Sequence, residues 1–198
     1  AWGSSALSAL GASGGCSHGK ESGHGKAGAT LAGLPVACLR ESHGGRMPDR
    51  MGAEGRAILG QDSAEYLRLR QKPWVSALLG ASYGSSTWYC ALSDFVVMRK
   101  GATMAVASSR VTAMAIKQPV DPEELGGWKL HTGVTGLVDL AVDTDEEALA
   151  AIRRFLSYLP IHHGVAAPAF AVPEGFDERP AGLLGVLPRC GTPGYDGG

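Results

Sequence analysis

The chain has 198 residues, a formal net charge of −1 and 44% hydrophobic residues, enough for one domain with a core of its own. Near-neutral charge leaves no electrostatic footprint for a nucleic acid, and no apolar run reaches the ~20 residues a membrane helix needs. The chain start does not read as a secretory signal, and its 4 cysteines, with no C-x-x-C pair, argue against a zinc ribbon and fit a reducing cytoplasm.

Residues 1–30, rich in Gly, Ser and Ala, read as loops around a short helix at Ser5–Leu10. Leu34-Pro-Val-Ala-Cys-Leu39, bounded by Gly33 and Glu41, reads as a buried strand, followed by a turn at Glu41-Ser-His-Gly-Gly-Arg-Met-Pro-Asp49. Asp62–Leu69 has helical spacing with Ala64 and Leu67 turned inward. Trp74-Val-Ser-Ala-Leu-Leu79 reads as a second buried strand that ends in Gly80-Ala-Ser-Tyr-Gly-Ser-Ser86, with a short helix over Thr87–Leu92. Phe95–Met98 and Met104–Ala107 read as strands separated by the Lys100-Gly101 turn, and Val134–Leu140 as another. The clearest helix spans Asp145–Leu159: Asp143 or Thr144 caps it, acidic residues fill its first turn, Arg153 and Arg154 lie toward its end, and Pro160 stops it. Beyond that point Pro168, Pro173, Pro180, Pro188 and Pro193 mark an extended tail with anchors at Phe170, Phe176 and Leu183–Val186. The expected organisation is an α/β domain over 1–160 and a proline-rich tail over 161–198.

Several conspicuous side chains read as structural. Cys38 and Cys90 sit in apolar segments as buried thiols. His18 and His24 near Cys16 lack tight ligand spacing, so no metal site is expected. His162-His163 reads as a surface pair. Gly80-Ala-Ser-Tyr-Gly84 fits G-x-S-x-G, but no Asp-then-His order supports Ser82 as a nucleophile.

Longer ordered segments carry a family signature. Asp121-Pro-Glu-Glu-Leu-Gly-Gly-Trp-Lys-Leu-His131 leads into Thr132-Gly-Val-Thr-Gly-Leu-Val-Asp139, then Asp143-Thr-Asp-Glu-Glu147 and Arg153-Arg-Phe-Leu-Ser-Tyr-Leu-Pro160. The 41–49 turn is similar to D-S-G-G-A-R-I-x-E, with His43 in place of a glycine and Gly45 in place of an alanine. Gly80–Ser85 is similar to G-P-C-A-G-G, and Asp94-Phe-Val-Val-Met98 to T-D-F-I-V-M. Together they resemble the carboxyltransferase subunit of biotin-dependent acyl-CoA carboxylases, from about Lys26 to Tyr195, over the first half of such a subunit. The resemblance implies a crotonase-like (ClpP-like) spiral of β-β-α units.

It also implies chemistry carried by backbone amides. Enolising a thioester puts negative charge on its carbonyl oxygen, and each preorganised N–H aimed there is worth ~3 kcal/mol. By this resemblance the Tyr83 and Gly84 amides, with the Gly44–Gly45 turn, form the oxyanion hole. Lys26, Lys20 and Arg46 meet CoA phosphates, and Ser82 and Ser85 line the substrate. The second half of the site, which binds biotin, comes from a partner half or homologous subunit with a biotin carboxyl carrier, in an oligomer. Against the family pattern, Tyr83 replaces a small residue and crowds the pocket. Ala81 and Ser82 replace a proline and a cysteine, Ser108-Ser-Arg-Val111 stands where G-P-x-V is usual, and Lys117-Gln118 replaces Gly-Glu. Three functions fit: carboxyl transfer to an acyl-CoA, biotin-independent decarboxylation of a malonyl-type thioester, and a non-catalytic assembly subunit.

Overall fold

The computed structural model describes residues 2–3, 28–29, 31–46, 48, 51–53 and 71–175. The helices expected at Ser5–Leu10 and Asp62–Leu69, the anchors Phe176 and Leu183–Val186, the candidates Lys20 and Lys26, and Cys16, His18 and His24 lie outside the described residues. The chain divides into a compact unit, Ala1–Pro168, and a second, Ala169–Gly198.

In chain order the elements are β1 (Trp2–Gly3), β2 (Val36–Ser42), β3 (Trp74–Tyr83), α1 (Ser85–Ala91), β4 (Phe95–Arg99), β5 (Thr103–Ala105), α2 (Ser109–Ile116), α3 (Pro122–Gly126), α4 (Trp128–Gly133), β6 (Leu140–Val142) and α5 (Asp145–Ser157). The strands form one sheet in the order β1-β2-β3-β4-β6, with β5 added beside the end of β3. Every pairing among them is parallel. Parallel strands are covered on both faces, which is why β3 reads as a continuous apolar run and is buried along most of its length.

The period of two along each strand sorts the core into two layers. Leu78, Val96 and Met98 point to one face, where they pack with Cys90, Met104 and Val138. Val75, Ala77 and Val97 point to the other, beneath Ala148 and Ile152 of α5. Burying a side chain such as Ile152 contributes about 1.5–3 kcal/mol. The start of α5 is fixed by a capping box: the Thr144 hydroxyl accepts from the Glu147 amide while the Glu147 carboxylate accepts from the Thr144 amide.

The structure corrects four local expectations. β3 continues through Gly80–Tyr83 because β5 pairs with Ala81, Ser82 and Tyr83 and so extends the ladder past the glycine. No strand forms over 134–138: Gly136 takes φ +64°, and the Thr135 hydroxyl accepts the Leu137 amide. The strand is Leu140–Val142, paired with β4. Helix α5 ends at Ser157 rather than Leu159, with Tyr158 as its C-cap. Helices α2, α3 and α4 were not anticipated, although Ser108 caps α2 and Asp121 with Pro122 opens α3.

Candidate active site

The register of β2 on β3 shifts between Arg40 and Ser42, and Ser42 pairs with Ser82. This puts both strands at their carboxyl ends together, and each passes directly into a glycine turn. Gly44 has φ +89° and Gly84 φ +71°, a region in which side chains are strained. A β-carbon on Gly84 would lie 3.8 Å from the Gly44 Cα, and one on Gly44 would lie 3.5 Å from the Tyr83 carbonyl oxygen. The two turns singled out in the sequence therefore abut.

The side chains sort differently from expectation. Ser82 is fully buried. Ser86 Oγ lies 3.1 Å from the Tyr83 carbonyl, to which it donates, so the Ser82 hydroxyl donates to Ser86 Oγ at 2.7 Å. Ser82 thus locks β3 to α1. The Tyr83 ring is also turned inward: its hydroxyl lies 3.1 Å from Thr103 Oγ1, and His43 packs against it with ring centroids 5.7 Å apart. The Gly84 amide donates to the Val106 carbonyl at 3.0 Å, and the Gly44 amide to Ser42 Oγ at 3.2 Å. The Gly84 amide, expected to face a ligand, is engaged by Val106 instead, and the Gly44 amide is engaged within its own turn. Gly45 and Ser85, the residues that follow them, are exposed, and Arg46 is half-buried.

The Glu-Glu-Leu-Gly-Gly-x-x-x-His segment, which carries the family resemblance, also has a structural task. It forms α3 and α4 and grips β5. A β-carbon on Gly126 would collide with the Met104 carbonyl, and one on Gly127 with Glu123. His131 is buried, with Nε2 2.8 Å from the Met104 carbonyl and Nδ1 2.9 Å from Thr135 Oγ1. A carbonyl only accepts, so Nε2 carries the proton and Nδ1 receives the Thr135 hydroxyl. His131 is structural. Because β5 pairs with Ala81–Tyr83 and the next residue, Val106, takes the Gly84 amide, this clamp sets the position of the second glycine turn.

Two thiols behave as predicted: Cys38 and Cys90 are buried and free. Burial pushes the Cys90 thiol from 9.0 up to about 11, against a smaller opposing pull from Arg40. Arg40 is itself buried with its guanidinium 5.4 Å from the centre of the Tyr89 ring. No group of His, Cys, Asp and Glu side chains able to hold a metal ion occurs among the described residues, and no helix among them is long and apolar enough to cross a membrane.

Comparison with known proteins agrees with this arrangement. Residues 7–197 match the family described as carboxyl transferase domain. The chain is 33% identical over 166 residues to the uncharacterized carboxylase YngE of Bacillus subtilis (strain 168), covering 82% of this chain and 32% of that protein. It is 30% identical over 173 residues to the mitochondrial propionyl-CoA carboxylase beta chain of Sus scrofa, covering 85% of this chain and 31% of that one. Among solved structures, the transcarboxylase 12S hexamer with methylmalonyl-coenzyme A and methylmalonic acid bound superposes with a TM-score of 0.77 at 26% identity, over 96% of this chain and 37% of that one. The fold is thus the crotonase-like α/β fold of carboxyltransferases, and the chain spans about a third of the length of these curated relatives. With its glycine turns and its Gly-Gly-x-x-x-His clamp, this chain belongs to the carboxyl transferase domain family.

Proposed function

We propose that the chain is the acyl-CoA half of a carboxyltransferase, in the cytoplasm, completed by a second half or a homologous subunit. The contact between the Gly44 and Gly84 turns carries this reading. With the amides of those two glycines engaged, the thioester oxygen falls to the amides of the exposed Gly45 and Ser85, backed by the Tyr83 strand end. Once the second half excludes water, two such donors stabilise the enolate by roughly 3 kcal/mol each. Arg46, with Lys26 and Lys20, provides charge for CoA phosphates. Biotin, carried by a partner, supplies the CO2 that the enolate carbon takes up.

An exposed apolar strip supports the need for a partner. Helix α2 buries none of its residues, and Val106, Val111, Met114 and Ile116 are all more than half exposed. This is where the second half docks.

One observation favours a second reading, decarboxylation of a malonyl-type thioester. His43 places an exposed imidazole beside the first turn. In that reaction the carbon–carboxylate bond breaks, its electron pair moves into the thioester carbonyl, CO2 leaves, and as the pair returns from the enolate oxygen the carbon takes a proton from His43.

The test is incubation with methylmalonyl-CoA, with and without a biotinylated carrier, followed by mass analysis of the CoA products. Propionyl-CoA that appears only with the carrier supports carboxyl transfer. Propionyl-CoA without it supports decarboxylation. Absence of CoA binding overturns both and leaves an assembly subunit.

A further inference from the structure

The sheet ends on β6, two strands beyond β3, with no further strand on its outer edge among the described residues. Beside it, under one side of α5, runs a groove of about 490 Å³. Phe95, Leu140 and Phe155 give the groove an apolar floor, and the two phenyl rings stack with centroids 4.4 Å apart. Leu140 is 40% and Tyr158 53% exposed, so apolar surface lies open to water here.

From α5 the groove is lined by Glu147, Ala151, Arg154 and Tyr158. Their spacings of four, three and four residues set them in one stripe along the helix. The stripe carries one charge of each sign, and neither is in an ion pair among the described residues. Glu147 accepts the Asp143 and Thr144 amides on a single oxygen, Oε2, which leaves Oε1 for a further donor. Arg154 donates from Nε to the Tyr158 hydroxyl at 3.2 Å. That bond steadies the guanidinium and leaves its two terminal nitrogens for a carboxylate. A net charge of only −1 sets no long-range repulsion between copies of the chain.

We propose that a second copy of this chain docks here, α5 against α5, antiparallel across a two-fold axis. Seven residues, about 10 Å of helix, separate Glu147 from Arg154. An axis between Ala150 and Ala151 therefore sets Glu147 of each copy opposite Arg154 of the other. One patch complements itself, as a two-fold contact requires. The alanines at the axis let the helices approach toward the ~8 Å end of the packing range, and the antiparallel sense brings opposite helix-dipole ends together. Leu140 and Tyr158 lose their water in both copies. Two helices of roughly 20 Å side by side bury less than a standard interface, so the dimer belongs to the weak, micromolar class. The patch is separate from the α2 strip, and the inference does not rest on the carboxyltransferase reading.

The test is sedimentation velocity of the full chain over a range of concentrations. A monomer–dimer equilibrium is expected, and it should survive Met114→Lys on the exposed face of α2. Arg154→Glu sets two carboxylates together at each contact and should weaken the dimer by about 100-fold or more. Glu147→Arg does the same with two guanidinium groups. Mixed, the two variants should form a 1:1 heterodimer near wild-type affinity, because every contact again joins opposite charges. Circular dichroism confirms that each is folded. Ala150→Trp, which fills the axis and spares the capping box, should keep the chain monomeric by itself. A monomer at every concentration up to about 1 mM would leave the groove to another occupant and overturn the proposal. So would a dimer lost in Met114→Lys, a dimer untouched by Arg154→Glu and Ala150→Trp, or folded charge variants that fail to pair.

Discussion

His131 Nε2 donates to the Met104 carbonyl at 2.8 Å, and Gly126 leaves that same carbonyl uncovered. Both residues thereby hold β5 against β3. His131→Ala removes a buried donor and strands the Met104 carbonyl, at a cost of about 1–3 kcal/mol. Gly126→Ala forces backbone apart and costs at least as much. Urea denaturation reads both, and a β5 that shifts should also lower CoA turnover; stability changes below a few tenths of a kcal/mol would refute the clamp.

The Ser82–Ser86 hydroxyl pair makes a separable prediction. Ser82→Ala should destabilise by about 1 kcal/mol, the worth of a buried neutral hydrogen bond, while CoA affinity stays at the wild-type value. A selective loss of CoA binding would return Ser82 to the substrate.

Gly84 adopts φ +71° and ψ −136°, so Gly84→Ala adds backbone strain of about 1–3 kcal/mol and a methyl that faces Gly44. We expect turnover to fall by roughly 100-fold or more with CoA binding largely kept. A variant that turns over normally would detach the glycine turns from the chemistry.

Alkaline stability follows from Cys90. Its folded value of about 11 lies above the ordinary 9.0, so between these values the native state holds a proton that the unfolded chain has released. Stability is therefore unaffected below pH 9 and falls as pH rises toward 11, by about 2–3 kcal/mol in total from this group. Denaturation midpoints measured across that window should flatten in Cys90→Ala; an unchanged slope would mean that another group carries the effect.

What the sequence made legible was local and periodic. The α5 helix was readable from its acidic first turn and its stop at Pro160, and β2, β3 and β4 from their apolar runs. The glycine turns were readable as turns, but the fate of each amide was not. Whether the Gly84 N–H points to a ligand or to Val106 depends on β5 and the residue after it, which lie 22 positions along the chain from their partners, Ala81 with Thr103 and Gly84 with Val106, and no local pattern reports it. The setting of Ser82 was hidden for the same reason: alternation places it on a face, and only the arrival of α1 brings Ser86 against it. The Gly-Gly-x-x-x-His segment is legible as a family signature, but its grip on β5 is not, because its partner, the Met104 carbonyl, is a backbone atom.

Helix α2 has a further consequence, for the order in which this molecule loosens. It has eight residues, none of them buried, well short of the ~12–15 an isolated helix needs to hold itself together in water. Its amides should exchange with solvent far sooner than those of β3 and β4, in an opening that leaves the sheet intact. Slowed exchange confined to α2 would then report any molecule that settles on it, before a single turnover is measured.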